Sequence, residues 1–458
     1  MINSISHLSL DSQWLFASEK RLDGSFYLNE GIEALIKIKK NKIKTEKLGN
    51  YLDDVFYPNR FTRNYVSSQN GIKFLSSKQM LQYEMDNVKS ISKNTNDLNN
   101  YILKDNWILV SRSGTVGNVS LVYDDIRGYA GTEHIIRLVP KKNIPYGYLY
   151  AFLNSKIGHE LLKVSIFGSV VDEIEPIHIK ETSIVILENK KDEIHKKIKN
   201  VFKWRVESNQ LMFEALDLFY KKLNLPKFLD AKQYLSNSNM KSWNINSFSN
   251  HLRFDANNYN LKTKKAISTL KNHTNKKWIK RLEEVTKDII NPPRSARIYV
   301  DGSNGLPYYS GTDLSIFSKH NLKYLASTHK NAEDVKVEKN WILITRVGTI
   351  GIPHLVDASK NGHCVSDNIL RVLPNNEIMP EFLYIFFKSI YGQLQLNQIK
   401  TGSVQDYIPE EYMKDIILLN PDIAIQKQIS LKVREAYKLR VKGEQIEKEC
   451  SMMFDELI

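Results

Sequence analysis

Two long stretches of the chain carry a stripe of apolar residues, which in the first stretch recurs at alternating steps of four and three. In the first, from about residue 189 to 223, Arg205 fills one slot of a series made by Ile194, Ile198, Val201, Ser208, Met212, Ala215 and Phe219. In the second, from about residue 422 to the end, the series is Ile425, Ile429, Val433, Ala436, Ile446, Cys450, Met453 and Leu457. This heptad spacing predicts two helices, each with one apolar seam.

The two predicted helices match in length, so we expect them to pair with each other. A run of about 35 residues at ~1.5 Å per residue would give a spacer of roughly 50 Å. Pro226 ends the first helix and Pro421 precedes the second. The alternative is that each helix packs only on its own domain.

Before each helix, short apolar runs bounded by turn residues predict strands. In the first half these runs are residues 107–111, 119–123, 134–139 and 184–187, and residues 148–153 predict a helix that continues to Gly158. A matching last strand in the second half covers residues 416–419. Each half is therefore expected to be mixed α/β, followed by a long helix.

The sequence WILVSRSGTVG, from Trp107 to Gly117, returns as WILITRVGTIG, from Trp341 to Gly351, at an offset of 234 residues. The offset holds without a gap for more than a hundred residues, for example from Arg137 to Arg371. Self-similarity on this scale indicates the duplication of a whole domain with its helical tail. The predicted division is 1–188, 189–225, 226–421 and 422–458, in which the second and fourth segments are the helices.

Charge adds a class of partner to this picture. The 65 Lys and Arg against 51 Asp and Glu give a formal net charge of +14, which favours a polyanion such as nucleic acid. The alternative is that the lysines reflect only a Lys-, Asn- and Ile-rich composition. The two cysteines, Cys364 and Cys450, exclude a disulfide framework and a Cys-based zinc site. We expect a cytoplasmic protein without a membrane span.

The repeated Arg-x-Gly-Thr-x-Gly turn is the first candidate for a nucleic-acid contact. Its glycines allow close approach to a phosphate, and it gathers amide groups, hydroxyls and a guanidinium at the end of a strand. The candidate residues are Arg112, Ser113, Thr115, Arg346 and Thr349. The alternative is a tight hairpin in which the arginines are structural partners. The repeated turn is not a nucleotide-binding loop, because the residues of a P-loop are missing.

A second candidate is the loop Gly168-Ser-Val-Val-Asp172, which is repeated as Gly402-Ser-Val-Gln-Asp406. Here Ser169, Ser403 and Gln405 are the candidate DNA contacts. Gln405 stands where the first copy has Val171, and only glutamine can bond to an adenine edge in a bidentate manner. If the loop contacts bases, the two copies recognise different sequences. The alternative is an ordinary turn before a helix.

The third candidate is a pair of basic segments with two arginines three residues apart. They place Arg60 and Arg63 in the first copy, and Arg294 and Arg297 in the second. Such a pair suits phosphate or guanine contacts, although a solvated surface is the simpler alternative.

No motif predicts a catalytic centre. Asn291-Pro-Pro-Arg294 lacks the aromatic residue that follows this triplet in adenine methyltransferases, and no glycine-rich cofactor motif accompanies it. Glu188 and Lys190 could form half of a nuclease motif with Asp172, but the second copy does not repeat them. HExxH and GxSxG are also missing from the sequence.

The ordered set of features, present twice, resembles the DNA-specificity subunit of Type I restriction–modification systems. Besides the turn, the Gly-Ser loop and the helical tail, Gly305-Leu-Pro-Tyr-Tyr fits that family, whereas the first copy departs from it with Gly71-Ile-Lys-Phe. The start of each half fits as well, through Arg21, Asp23 and Tyr27 and through Arg253, Asp255 and Tyr259.

The resemblance implies a mixed α/β fold with two tandem target recognition domains, separated and followed by long helices that pair as an antiparallel coiled coil. Each domain would recognise one part of a split double-stranded DNA site, and the helices would dock adenine methyltransferase subunits, two in number, with restriction subunits joining them. We expect docking to involve the helix residues Ile194, Ile198, Val201, Met212, Phe219, Ile429, Val433, Ile446 and Met453.

The resemblance also implies a subunit that has no catalytic activity and no cofactor of its own. S-adenosylmethionine, ATP and magnesium would belong to the partner subunits. Two other classes of function stay open. One is a DNA methyltransferase or nuclease with unrecognised motifs, and the other is a scaffold that binds only proteins.

Overall fold

The computed structural model describes residues 30–85, 88–164, 173–227, 260–294, 296–317, 320, 322–328, 332–402 and 405–457. The chain divides into two compact units. The first unit comprises Met1–Val206, Ile316–His320 and Arg440–Ile458, and the second comprises Glu207–Ser315 and Asn321–Leu439. Each unit thus contains one copy of the repeat and part of each long helix.

The first copy contains ten strands and four short helices among its described residues. The strands are β1 (Thr45–Lys47), β2 (Leu52–Phe56), β3 (Tyr65–Val66), β4 (Gly71–Leu75), β5 (Ser90–Ser92), β6 (Ile108–Ser111), β7 (Val119–Leu121), β8 (Ala130–Gly131), β9 (Ile135–Pro140) and β10 (Ser183–Val185). The helices are α1 (Glu30–Lys40), α2 (Tyr146–Leu153), α3 (Lys156–Lys163) and α4 (Pro176–Glu181).

These strands form two four-stranded sheets and one two-stranded pair. The larger core sheet has the order β2-β9-β6-β7 and is antiparallel throughout. The smaller sheet has the order β3-β5-β4-β8, in which β4 and β8 are parallel. Strand β6 is buried along its whole length, as expected for a continuous apolar run at the centre of a sheet. Helix α2 is buried from Gly147 to Leu153.

A buried arginine connects the two sheets of the first copy. Arg137 on β9 is fully buried, and its guanidinium donates hydrogen bonds to the carbonyl oxygens of Thr132, at 2.9 Å, and of Gly131 on β8. Burial lowers the pKa of Arg137 to about 10. Because a buried cation needs such partners, Arg137 fixes the position of β8 relative to the larger sheet. Arg371 bonds in the same way in the second copy, with 2.7 Å to the Val365 carbonyl oxygen.

The long helix α5 (Lys191–Lys222) follows the first copy. The second copy then gives α6 (Leu261–Lys271), β11 (Ile279–Arg281), β12 (Thr286–Ile290), β13 (Tyr299–Val300), β14 (Gly305–Tyr309), α7 (Gly311–Ser315), β15 (Lys323–Ala326), α8 (Ala332–Val335), β16 (Ile342–Thr345), β17 (Pro353–Leu355), β18 (Cys364–Val365), β19 (Ile369–Pro374), α9 (Pro380–Lys388), α10 (Ile390–Gln398), α11 (Glu410–Met413) and β20 (Ile417–Leu419), and the chain ends with the long helix α12 (Ile423–Asp455).

The second copy repeats the sheet topology of the first. Its larger sheet has the order β12-β19-β16-β17, its smaller sheet the order β13-β15-β14-β18, and β11 pairs with β20 as β1 pairs with β10. Even the irregularity between the first two paired positions of β2 recurs in β12. The duplication predicted from the sequence is therefore a duplication of the fold, and the prediction of a mixed α/β class is confirmed.

The two long helices pack against each other in opposite directions. In the first unit, Arg205 of α5 pairs with Glu447 of α12 at 2.6 Å, and in the second unit Glu214 pairs with Lys432, also at 2.6 Å. The predicted seam of α5 is buried at every position, including Arg205 and Ser208. The pairing of the helices, which we preferred to packing on separate domains, is confirmed.

The seam of α12 differs in its second half from the prediction. Its buried positions continue the steps of four and three from Ala436 through Arg440, Gly443, Glu447, Cys450 and Phe454. The predicted seam residues Ile446 and Met453 are only partly buried beside the core. The apolar pattern misplaced the seam because Arg440 and Glu447 enter it as members of ion pairs, with Glu84 and Arg205 respectively.

A second difference concerns the helix predicted to continue from Tyr148 to Gly158. It ends at Leu153, and Ser155 begins the next helix by accepting a hydrogen bond from the Gly158 amide. A side chain at Gly158 would meet the Phe152 carbonyl oxygen at 1.9 Å. The glycine thus permits the close turn between α2 and α3.

Candidate nucleic-acid interface

The repeated turn joins β6 to β7 and β16 to β17, and it has the same geometry in both copies. The last residue of the strand before the turn closes the turn through its side-chain hydroxyl. In the first copy, the Ser111 hydroxyl donates to the Thr115 carbonyl oxygen at 2.5 Å and accepts from the Asn118 amide at 2.9 Å. Thr345 bonds in the same way to Thr349 and to the Ile352 amide.

All four glycines of these turns adopt positive φ angles between +78° and +85°. This conformation favours glycine, so the glycines are required by the hairpin itself. Thr115 and Thr349 lie exposed at the tips of the turns. Ser113 is half-buried, and its hydroxyl lies 2.6 Å from Nδ1 of His134.

Arg112 is held on the protein by two carboxylates. Its Nη2 lies 2.7 Å from Glu173 and 2.6 Å from Glu175, and its guanidinium stacks on the ring of Tyr57 at 4.2 Å. Burial alone would lower the pKa of Arg112, but the two glutamates outweigh it and raise this pKa. Arg112 thus ties the turn to the segment before α4.

Arg346 occupies the same position but has neutral partners. It donates hydrogen bonds to the Ile408 carbonyl oxygen at 2.9 Å and to Oδ1 of Asn291 at 3.0 Å, and it lies over the ring of Tyr407 at 5.0 Å. These contacts position the guanidinium without neutralising it. Contact of Arg112 and Arg346 with DNA stays a prediction, and of the two Arg346 keeps more of its charge for a ligand.

The two basic segments each combine one held arginine with one exposed arginine. Arg63 donates to Glu133 at 2.8 Å, and Arg297 bonds to Asp367. Arg60 is 84% exposed, with its Nε 3.8 Å from Glu133, and Arg294 is exposed. Arg294 can reach a phosphate from its exposed position, and Arg60 can do so by giving up its long ion pair with Glu133.

Glu133 and Asp367 were missed by the sequence reasoning. Burial would raise the pKa of Glu133, but hydrogen bonds from its own backbone, Thr132 and Arg63 outweigh burial and lower it. Both acids are almost fully buried, and they stand at the same offset of 234 as the arginines they hold. An acidic residue kept at equivalent positions of two diverged copies was the signal that could have revealed them.

The predicted Gly-Ser loop is only partly described. Gln405 is exposed, as a base contact requires. Ser169 and Ser403 lie outside the described residues, as do the family-like positions Arg21, Asp23, Tyr27, Arg253, Asp255 and Tyr259.

The helix residues predicted for docking lie mostly inside the protein. Ile446 and Met453 are partly buried. The other seven are buried, with relative exposures of 4% for Met212 and of 1% or less for Ile194, Ile198, Val201, Phe219, Ile429 and Val433. These side chains hold the helices together. A partner subunit would contact the outward faces of the same helices.

The described residues show no group of three His, Cys, Asp or Glu side chains that could hold a metal ion. Glu188, considered for a nuclease motif, forms surface ion pairs with Lys44 at 2.7 Å and Lys191 at 2.9 Å. Asn291 of the Asn-Pro-Pro segment accepts a hydrogen bond from Arg346. Among the helices described here, none is long and apolar enough to cross a membrane.

Residues 280–442 match the family model described as the Type I restriction modification DNA specificity domain. The matched part of the second copy is therefore a DNA specificity domain of the Type I restriction–modification class. The match covers most of the second copy and the start of α12, and the first copy has the same strand order and the same turn. The resemblance inferred from the sequence is therefore confirmed. No curated protein matches this sequence.

Several solved structures are similar to this chain. The S subunit of a Type I system from M. genitalium shares 15% identity with a TM-score of 0.32, over 91% of this chain and 95% of that one. The HsdS subunit from Thermoanaerobacter tengcongensis shares 10% identity with a TM-score of 0.28, over 90% and 95%. A structure on complex assembly in the Type I system shares 11% identity with a TM-score of 0.27, over 90% and 96%.

Proposed function

We propose that this subunit recognises a bipartite double-stranded DNA site, with one half-site for each copy of the repeat. The observation that carries the proposal is that the two copies share their interior but differ in an exposed residue. Sheet order, turn geometry and the buried arginines Arg137 and Arg371 are the same in both copies. By contrast, the exposed Gln405 of the second copy stands where the first copy has Val171. A common scaffold with different exposed residues suits two unlike half-sites.

The proposal assigns DNA contacts to the exposed candidates and structural roles to the held arginines. Arg60, Arg294, Thr115, Thr349 and Gln405 are exposed, so they are accessible to phosphates or base edges. Arg63 and Arg112 orient the segments that carry them. The net charge of +14 supplies the attraction to the DNA backbone.

In this proposal the subunit performs no chemistry. Methylation of adenine and ATP-driven cleavage belong to methyltransferase and restriction subunits that dock on the outward faces of α5 and α12. S-adenosylmethionine, ATP and magnesium are bound by those partners. Because α5 and α12 have 32 and 33 residues, each is about 50 Å long at ~1.5 Å per residue, which suits a spacer of fixed length.

Mapping of methylated adenines in the host genome tests the two-part site. We expect a motif with two specified halves around an unspecified gap of constant length, and we expect loss of methylation by the assembled complex when one base pair is added to the gap. A single continuous motif, or methylation that tolerates the added base pair, would contradict the proposal.

The chain alone, given duplex DNA and S-adenosylmethionine or a divalent metal, should neither methylate nor cut the DNA. Either activity would favour the enzyme alternative.

A further inference from the structure

The small sheet of each copy ends in an edge strand that carries an exposed tyrosine. Tyr65 on β3 is 48% exposed, and Tyr299 on β13 is 41% exposed. Among the described strands, β3 pairs only with β5, and β13 only with β15. The two rings stand at the 234-residue offset, so the duplicated fold presents the same aromatic group twice.

A lysine lies over each tyrosine ring. Lys89 Nζ is 5.1 Å from the centroid of Tyr65, and Lys323 Nζ is 4.7 Å from that of Tyr299. The strand register causes this, because Tyr65 lies opposite Ile91 and residues 89 and 91 share one face of the strand. The cation and the ring are therefore held together at the sheet edge by backbone pairing.

An arginine on the same segment completes each group. Arg63 is fixed by Glu133 at 2.8 Å and lies 5.4 Å from the ring of Phe74. Arg297 is fixed by Asp367 and lies 5.5 Å from the ring of Tyr308. Each arginine side chain keeps about a third of its surface exposed. We call these groups the edge clusters, defined by Arg63, Tyr65 and Lys89 and by Arg297, Tyr299 and Lys323.

The edge clusters persist where neighbouring residues have changed. The second copy has Ala296 in place of Thr62 and Ile298 in place of Asn64. The arginine and the tyrosine that follow these two positions, Arg63 and Tyr65, are the same in both copies. Tyr65 and Tyr299 stand at an edge and keep nearly half of their surface in solvent, so packing of the core is not enough to explain their identity.

We propose that the edge clusters are DNA contacts common to both halves of the site, in which the tyrosine ring packs against the duplex and the lysine binds a phosphate, while the arginine, held by its acid, orients the segment. The proposal rests on the proposed function. An exposed aromatic ring beside a cation suits the sugar–phosphate backbone, and identical residues in both copies suit contact with that backbone, which both half-sites share. The residues that distinguish the half-sites lie elsewhere, for example at Gln405.

The test measures binding of the full chain to a fluorescein-labelled duplex that carries the motif found in the host methylation map. We expect Tyr65→Ala and Tyr299→Ala each to raise the Kd roughly tenfold, the order of one lost aromatic contact to a nucleic acid. Tyr65→Phe should bind as the wild type does, because the ring remains. Ile177→Ala is the matched control, since Ile177 is 59% exposed in the same unit and should leave the Kd unchanged.

A second measurement needs no substitution. Acetylation of wild-type protein by an N-hydroxysuccinimide ester should be slowed at Lys89 and Lys323 when the duplex is bound. If the wild type binds the duplex but neither the Kd of the alanine variants nor the acetylation of these lysines changes, the edge clusters are not DNA contacts and the proposed function stands. If the wild type binds the mapped duplex no more tightly than a scrambled one, the proposed function itself fails.

Discussion

At the residue scale, equivalent arginines of the two copies have different charge environments. Arg112 is neutralised by Glu173 and Glu175, while Arg346 bonds to neutral oxygens of Ile408 and Asn291. The same motif therefore serves as an internal connector in one copy and retains a positioned cation in the other. Substitutions at the two positions should have different consequences.

Arg112→Ala should lower the free energy of unfolding by about 1.5–3 kcal/mol, the usual range for hydrogen bonds to a charged group. It also leaves Glu173 and Glu175 facing each other without a cation. Urea denaturation measures the loss, and Arg60→Ala is the matched control because Arg60 is 84% exposed. Equal stability of the Arg112→Ala protein and the wild type would show that the connector contributes nothing.

A stacked histidine pair makes the stability of the first unit depend on pH. The rings of His159 and His320 lie 4.3 Å apart and nearly parallel, and His320 also bonds to Asn154 at 2.8 Å. Burial, His159 and Lys163 together lower the pKa of His320 to about 3, and burial lowers the pKa of His159 as well. His320 is therefore neutral in the folded protein near pH 6.

Acidification from pH 7 to pH 5 should lower the melting temperature, and His320→Gln should reduce that drop. An unfolded histidine takes up a proton near pH 6.5, whereas folded His320 does so only near pH 3. Between these pH values the unfolded chain binds more protons than the folded one. The free energy of unfolding therefore decreases as the pH is lowered, by at most about 1.4 kcal/mol per pH unit. An identical drop in the wild type and in His320→Gln would contradict this origin.

At the element scale, the seam between α5 and α12 contains a buried ion pair among aromatic rings. Arg205 pairs with Glu447 at 2.6 Å and lies 3.7 Å from the ring centroid of Phe317. Tyr150 donates its hydroxyl to the same carboxylate. Both charged residues are less than a tenth exposed. Such a pair specifies the register of two helices more than it stabilises them.

Removal of one partner should be costly, whereas removal of both should not. Arg205→Ala should destabilise the protein by about 3–5 kcal/mol, because Glu447 is left buried and unpaired. The double variant Arg205→Met, Glu447→Leu should recover most of this loss, apart from the Tyr150 hydroxyl that loses its acceptor. Urea denaturation of Arg205→Met, Glu447→Leu and the double variant that combines them, each compared with the wild type, gives the coupling energy. Additive losses would show that the two charges do not depend on each other.

The elements were largely predictable from the sequence, and the exceptions have physical causes. The apolar period located α5 and its seam, because every slot but Arg205 and Ser208 is apolar. In α12 the period misled, since Arg440 and Glu447 enter the seam through partners that only the fold brings together. The break between α2 and α3 was missed because it depends on close approach at Gly158, a tertiary property.

At the scale of the whole molecule, excess positive charge should make DNA binding strongly dependent on salt. A plot of log Kd against log salt concentration should be linear, with a slope that reports the number of phosphates contacted. Arg60→Ala should reduce that slope by about one, because Arg60 is 84% exposed and its ion pair with Glu133 is long, at 3.8 Å. Ile177→Ala should keep the slope of the wild type, and an unchanged slope for Arg60→Ala would remove Arg60 from the interface.

The duplication, the mixed α/β class and the DNA specificity function could be predicted from one sequence, because repeat offset and motif order survive divergence. The candidate site was harder. The sequence identified Arg63 and Arg112 but not the acids that hold them, since Glu133 lies about seventy residues from Arg63 and Glu175 about sixty from Arg112. It also could not separate held from exposed arginines, because exposure is decided by the packing of distant segments.

The self-closed turn at the end of β6 and β16 has a consequence for how new variants of this protein can arise. Ser111 and Thr345 donate to the carbonyl oxygens of Thr115 and Thr349, so the turn is closed through the backbone of these exposed threonines and not through their side chains. The side chains at these two positions can therefore be exchanged while the sheet beneath keeps its register. Diversification of such a protein needs only small, local changes, each compatible with a scaffold that is already stable.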